Sequence, residues 1–105
     1  MPALYELWLA QVKLRKSEDL RPIVIVQIES TQLQVMAVSS QMDMFREGVD
    51  FKIDVQDPCF KATGLRKTSY VIAGIKPEIA HECLKRRLGK LEGSLRTDFE
   101  RWAND

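Results

Sequence analysis

The side chains best suited to chemistry in this chain stand at the ends of two apolar segments. Leu20-Arg21-Pro22 leads into Ile23-Val24-Ile25-Val26, and Ala37-Val38 leads into Ser39-Ser40-Gln41. If these segments pair as a hairpin, the start of one lies beside the end of the other, which makes Arg21 and Ser39 neighbours. A guanidinium beside a hydroxyl suits phosphate. Arginine donates two parallel bonds to phosphate oxygens and keeps its charge at neutral pH, while serine can donate to or accept from a sugar hydroxyl. Pro22 also pushes Arg21 toward an extended backbone, which restricts how its side chain leaves the chain. The plain alternative is a surface arginine and a serine turn, and the bare pattern taken alone favours it.

Other reactive residue types give weaker signals. Lys85-Arg86-Arg87 and Lys90 could grip a phosphate backbone, but such runs on small domains usually form a solvated face. His81 lies in Glu78-Ile79-Ala80-His81-Glu82 with no nucleophile beside it, and reads as a surface histidine. Cys59 and Cys83 belong to no CxxC motif and read as reduced, partly buried thiols; with a single histidine, they leave too few soft ligands for zinc or copper. There is no Gly-rich phosphate loop, GxSxG elbow or HExxH motif, which disfavours most common enzyme classes. No metal or cofactor is expected.

Sixteen basic residues against fifteen acidic ones give a formal net charge of +1, so any polyanion site must be a local patch. The opening Met1-Pro2-Ala3-Leu4-Tyr5-Glu6-Leu7-Trp8 lacks a basic stretch followed by an apolar run, and no segment reaches the length of a membrane span. The expectation is a cytoplasmic protein with no membrane contact.

The elements that must position these residues are mostly strands, within residues 1–105 as a single domain. Strands are expected at 7–12, 23–28 and 33–38, the second buried on both faces because its apolar run is nearly unbroken. Residues 13–20 read as a polar loop and 29–31 as a turn. Strict alternation over 49–55 marks a strand with one wet face, and 69–75 reads as a further strand. Pro77-Glu78 suits the first turn of a short helix. Residues 84–91 could be helix or strand. Ser94 is a plausible N-cap for a terminal helix whose Leu95, Phe99 and Trp102 form one apolar stripe.

Four motifs in order resemble the MazF/PemK-like toxin family over nearly the whole chain. They are Leu20 to Val26, Ala37-Val38-Ser39-Ser40-Gln41, Thr63-Gly64-Leu65-Arg66-Lys67-Thr68-Ser69-Tyr70-Val71, and Leu84-Lys85-Arg86-Arg87-Leu88-Gly89-Lys90-Leu91. The resemblance implies a mainly β (α+β) fold, a small SH3-like barrel with a short internal helix and a C-terminal helix, usually a homodimer, with 84–91 largely strand. It implies a metal-independent endoribonuclease that cuts single-stranded RNA and is held in check by a small acidic antitoxin. By matching motifs, Arg21 would be the catalytic arginine. Ser39 would stand where the family usually has threonine, with Ser40 and Gln41 completing that strand end. Glu18 and Asp19 are the nearest proton acceptors in sequence, and Lys85, Arg86 and Lys90 would contact RNA or the acidic partner.

Two departures bear on activity more than on fold: Tyr5-Glu6-Leu7-Trp8 replaces the family's glycine-acidic start, and Ser39 lacks the methyl that restricts χ1 of threonine. They leave open a catalytically degenerate barrel that binds a protein partner or inhibits a cellular enzyme such as a topoisomerase.

Overall fold

Long runs of aliphatic and β-branched residues build the first part of the chain into an antiparallel meander. The computed structural model describes residues 1–14 and 17–104, and the side chains of residues 14, 17 and 18 lie outside that description. Strands β1 (Glu6–Leu14), β2 (Ser17–Ile28) and β3 (Gln32–Ser39) pair in sequence order. The β1–β2 register runs from Leu7↔Val24 to Leu14↔Ser17. The β2–β3 register runs from Ile23↔Ala37 to Ile28↔Leu33 and shifts between Ile25 and Gln27. Ile23, Val24 and Ile25 have no exposed surface, as expected of a central strand.

The outer strands are shorter. β4 (Phe51–Ile53) pairs with β5 (Ser69–Val71), β5 and β6 (Glu78–Ala80) both pair with β3, and β7 (Leu84–Lys90) pairs with β1. The order is β4-β5-β3-β2-β1-β7, with β6 beside β3. The fold is mainly β with a terminal helix, the class that the sequence leads one to expect, built as an unclosed seven-stranded antiparallel sheet. No helix among the described residues is long and apolar enough to cross a membrane.

Each face of the sheet carries a core. One contains Leu7, Val24, Met36, Val38, Ile53, Val71 and Leu91 and is covered by helix α1 (Gly93–Ala103) through Leu95 and Phe99. Trp102 extends that stripe, its ring centroid 5.5 Å from Phe51 and 5.6 Å from Phe99. The other core contains Ala10, Val12, Ile23, Ile25, Leu33, Val35 and Ile79.

Several boundaries differ from the sequence expectation for identifiable reasons. The polar interval 13–20 is not a loop throughout: Val12↔Asp19 and Lys13↔Glu18 continue the ladder. Exposure of Lys13, Asp19 and Leu20 shows that this arm extends beyond the core, where polar side chains are compatible with pairing. The short helix expected from Pro77 is instead β6, followed by a single 3₁₀ turn at His81–Cys83, because Ile79 pairs with Leu33 and fills the second core. Helix α1 begins at Gly93 with Glu92 at the N-cap position, so Ser94 is inside the helix and is not its cap.

The strand expected over 49–55 is only Phe51–Ile53, since Asp50 folds inward. Its buried carboxylate accepts the backbone N–H groups of Arg46 (2.9 Å) and Ala73 (3.0 Å). It also accepts Nε (3.2 Å) and Nη2 (2.8 Å) of Arg46. The same tie ends β5 at Val71, short of the expected 75, because the chain turns at Ala73-Gly74, where Gly74 has φ 83°.

Candidate functional site

The sheet register sets out the site. Leu9 of β1 stands between Pro22 of β2 and Arg86 of β7, so these three side chains form one row. They border a cavity of about 480 Å³, together with Val38, Leu88 and Leu65. The segment Gly64 to Lys67 forms another border, and Ser39, Ser40, Gln41 and Ser69 complete the lining with Arg21. The lining thus holds four cations (Arg21, Arg66, Lys67 and Arg86), three serines and a glutamine. Among the described residues that line it, none is acidic, aromatic or histidine. This is the local basic patch that a near-neutral chain requires for a polyanion.

Arg21 and Ser39 lie at the same end of the hairpin and border the same cavity. Continuing the β2–β3 register past Ile23↔Ala37 sets Arg21 opposite Ser39, and both border the cavity at the hairpin's open end. By strand alternation they leave the sheet on the face opposite to Pro22 and Leu9, and therefore belong to the rim of the cavity. The Arg21 side chain is 27 % exposed, and its Nη2 donates to Asp19 Oδ2 at 3.3 Å. Asp19 lies two residues earlier on the same side of β2, where it orients the guanidinium without lining the cavity. Nε of Arg21 is buried without a hydrogen-bond partner among the described residues. Leaving a donor in that state costs about 1–3 kcal/mol unless a ligand satisfies it.

The Ser39 hydroxyl is held by the backbone. Its oxygen accepts the Gln41 N–H at 3.1 Å, a local turn that leaves the hydroxyl hydrogen available to donate. The turn supplies some of the restriction that the missing threonine methyl would have provided.

The other expected site residues separate into two groups. Ser40, Gln41 and Arg86 line the cavity. Lys85 and Lys90 do not: Lys85 Nζ donates to the Glu82 carbonyl at 3.2 Å, and Lys90 pairs with Glu92 at 3.6 Å. Arg86 pairs with Leu9 and shares its face, Lys85 alternates to the other face, and Lys90 pairs with Glu6 beyond the register shift between Leu7 and Trp8, which turns it away. Arg87 is also turned away, its Nε donating to Glu6 Oε2 at 2.8 Å. The Glu18 side chain lies outside the described residues. His81 meets the Glu29 carbonyl at 3.0 Å and takes no part in the lining.

Reasoning from sequence missed Arg66, Lys67 and Ser69 as site residues. A usable signal was present in Thr63-Gly64, a turn pair directly before two cations. In the structure, the buried Thr63 hydroxyl donates to the Phe60 carbonyl at 2.6 Å and accepts the Leu65 N–H at 3.1 Å, while Gly64 takes φ 75°. The loop is folded by its own side chain and then passes Arg66 and Lys67 to the cavity. No protein-family profile matches this chain, and no curated protein matches it.

Proposed function

We propose that the cavity binds single-stranded RNA and cleaves it by internal attack of a ribose 2′-hydroxyl, as the resemblance to MazF/PemK-like toxins implies. The observation that carries this reading is that, among the described residues, the buried Nε of Arg21 has no partner and the cationic cavity it and Ser39 border has no acidic lining. A phosphate oxygen is a suitable acceptor for that donor. Arg66, Lys67 and Arg86 would neutralise adjoining phosphates, and among the described residues none of the three holds an ion pair.

The chemistry asks for alignment and charge stabilisation. The 2′-oxygen forms a bond to phosphorus as the bond from phosphorus to the 5′-oxygen breaks, giving a cyclic phosphate and a free 5′-hydroxyl. Arg21 would bind the non-bridging oxygens as negative charge develops, and Ser39 would donate its free hydroxyl hydrogen to phosphate or ribose. Among the described residues no carboxylate or imidazole lines the cavity, and in the proposed step the 2′-hydroxyl proton passes to solvent while the leaving oxygen takes one from solvent or from the guanidinium. The aliphatic border of Leu9, Pro22, Val38, Leu65 and Leu88 would lie against sugar and base without aromatic stacking.

The same reading brings a cytoplasmic location, a homodimer and a small acidic antitoxin as partner. It is tested by incubating the protein with single-stranded RNA in EDTA. Fragments ending in cyclic phosphate are expected, with no cleavage where a 2′-deoxy nucleotide replaces the attacking one. Cleavage that survives that replacement, or intact RNA across varied sequences, would reject it.

A second reading, a non-catalytic module that binds a protein partner, draws on a separate hollow of about 520 Å³ bordered by Met36, Val49, Trp102 and Ala103 among others. Growth arrest on expression that disappears with Arg21→Ala would count against it.

A further inference from the structure

The cation set of the cavity is divided between two pieces of backbone that touch without a side chain between them. A Cβ added at Gly64 would lie 2.0 Å from the Leu88 carbonyl oxygen, and one added at Gly89 would lie 2.1 Å from the Ala62 carbonyl oxygen. The contact is reciprocal: a glycine of the loop meets β7, and a glycine of β7 meets the loop. Arg66 follows Gly64 by two residues and Arg86 precedes Leu88 by two, so the cations flank this contact closely.

We propose that Gly64 and Gly89 are positioning residues that set the separation between the Arg66–Lys67 segment and Arg86, and so fix the spacing of phosphates the cavity accepts. The inference rests on the RNA-binding reading. Backbone contact suits such a role because it has no rotamers to change, so the cations are presented with less freedom to lose on binding. The buried Thr63 hydroxyl, bonded to Phe60 and Leu65, holds the loop in the shape that reaches β7. A methyl group at Gly89 would have to displace the Ala62–Thr63 backbone, carrying Arg66 and Lys67 with it.

The test measures dissociation constants for a short fluorescein-labelled single-stranded RNA of mixed sequence, using wild type, Gly89→Ala, the Arg66→Ala/Lys67→Ala pair, and all three changes together. Gly89→Ala is expected to weaken binding roughly tenfold, on the scale of one misplaced charge-assisted contact. In the background lacking Arg66 and Lys67 the same change should have no further effect, because the glycine acts through those cations. A general structural role would instead give additive losses, and that result overturns the proposal.

Unchanged affinity in a natively folded Gly89→Ala also overturns it. If Gly89→Ala does not fold, Thr63→Val takes its place in the same comparison: it keeps the side-chain volume and removes the hydroxyl that shapes the loop. Failure of wild type to bind the RNA rejects the RNA reading and this inference with it, whereas tight wild-type binding with equal binding by the variants rejects this inference alone.

Discussion

Replacing Asp50 with alanine removes a carboxylate whose side chain is only 1 % exposed and which accepts four hydrogen bonds. The Arg46 guanidinium is 55 % exposed, so water can take over its bonds and its loss counts for little. The backbone N–H groups of Arg46 and Ala73 are the costly part, because each loses its acceptor in a partly buried setting. At about 1–3 kcal/mol for each abandoned donor, the sum is about 2–6 kcal/mol. With a urea m-value of about 2 kcal/mol/M, the midpoint should fall by roughly 1–3 M with m unchanged.

Asp50→Asn retains one acceptor oxygen and should lose about half as much. The pH dependence supplies an independent arm. Burial pushes the Asp50 carboxyl up, but the bonds from the Arg46 side chain, Ala73 N–H and Arg46 N–H outweigh it and hold the group below its ordinary 3.8. A folded value below the unfolded one means stability present above about pH 4 and lost as pH falls through the folded value. Glu6 adds to the same slope: burial raises it, and bonds from Trp8, Arg87 and Ala3 bring it below its ordinary 4.5. Acid-induced loss of stability should therefore be shallower in Asp50→Asn than in wild type, though not absent. A midpoint for Asp50→Ala within a few tenths molar of wild type, or equal acid slopes, would refute the reasoning.

Three further outcomes are expected. Ser39→Ala removes the acceptor for Gln41 N–H and a donor to substrate, and should lower kcat/KM on RNA about 10²-fold, whereas Ser39→Thr should match or exceed wild type. Replacing Arg66 and Lys67 together with alanine should reduce the salt slope of RNA binding by about 1.4, at about 0.7 per phosphate contact on a single strand, while Lys90→Ala should leave it unchanged. The cleavage rate should show no histidine-type inflection between about pH 5 and 8, and His81→Ala should cleave like wild type, since His81 meets Glu29 and not the cavity.

The sequence was most informative where local pattern and burial coincide. The unbroken apolar run of 23–26 identified a central strand, and the Leu95–Phe99–Trp102 stripe identified the terminal helix that covers the core. That Arg21 and Ser39 border one cavity was legible because a hairpin sets the start of one strand beside the end of the next. Legibility ended where long-range contacts overrule local preference. Asp50 reads as the wet position of an alternating strand, yet Arg46 and Ala73 draw it inward; Ala73 is distant in sequence. Ile79 leaves an expected helix because Leu33 offers it a strand partner. In 84–91, Lys85, Arg86 and Lys90 look alike as a charge run, and only the pairing of β7 with β1 selects Arg86 for the cavity. Thr63-Gly64 marks the turn before Arg66 and Lys67, but the close approach of that loop to β7 at Gly64 and Gly89 is a long-range contact that no local pattern encodes.

The most direct test compares wild type and Arg21→Ala, both confirmed as folded, on the same single-stranded RNA in EDTA. Wild type should cut the RNA, and Arg21→Ala should leave it intact even at saturating RNA, because the guanidinium proposed to bind the reacting phosphate is gone. Equal cleavage by the two proteins would contradict the account.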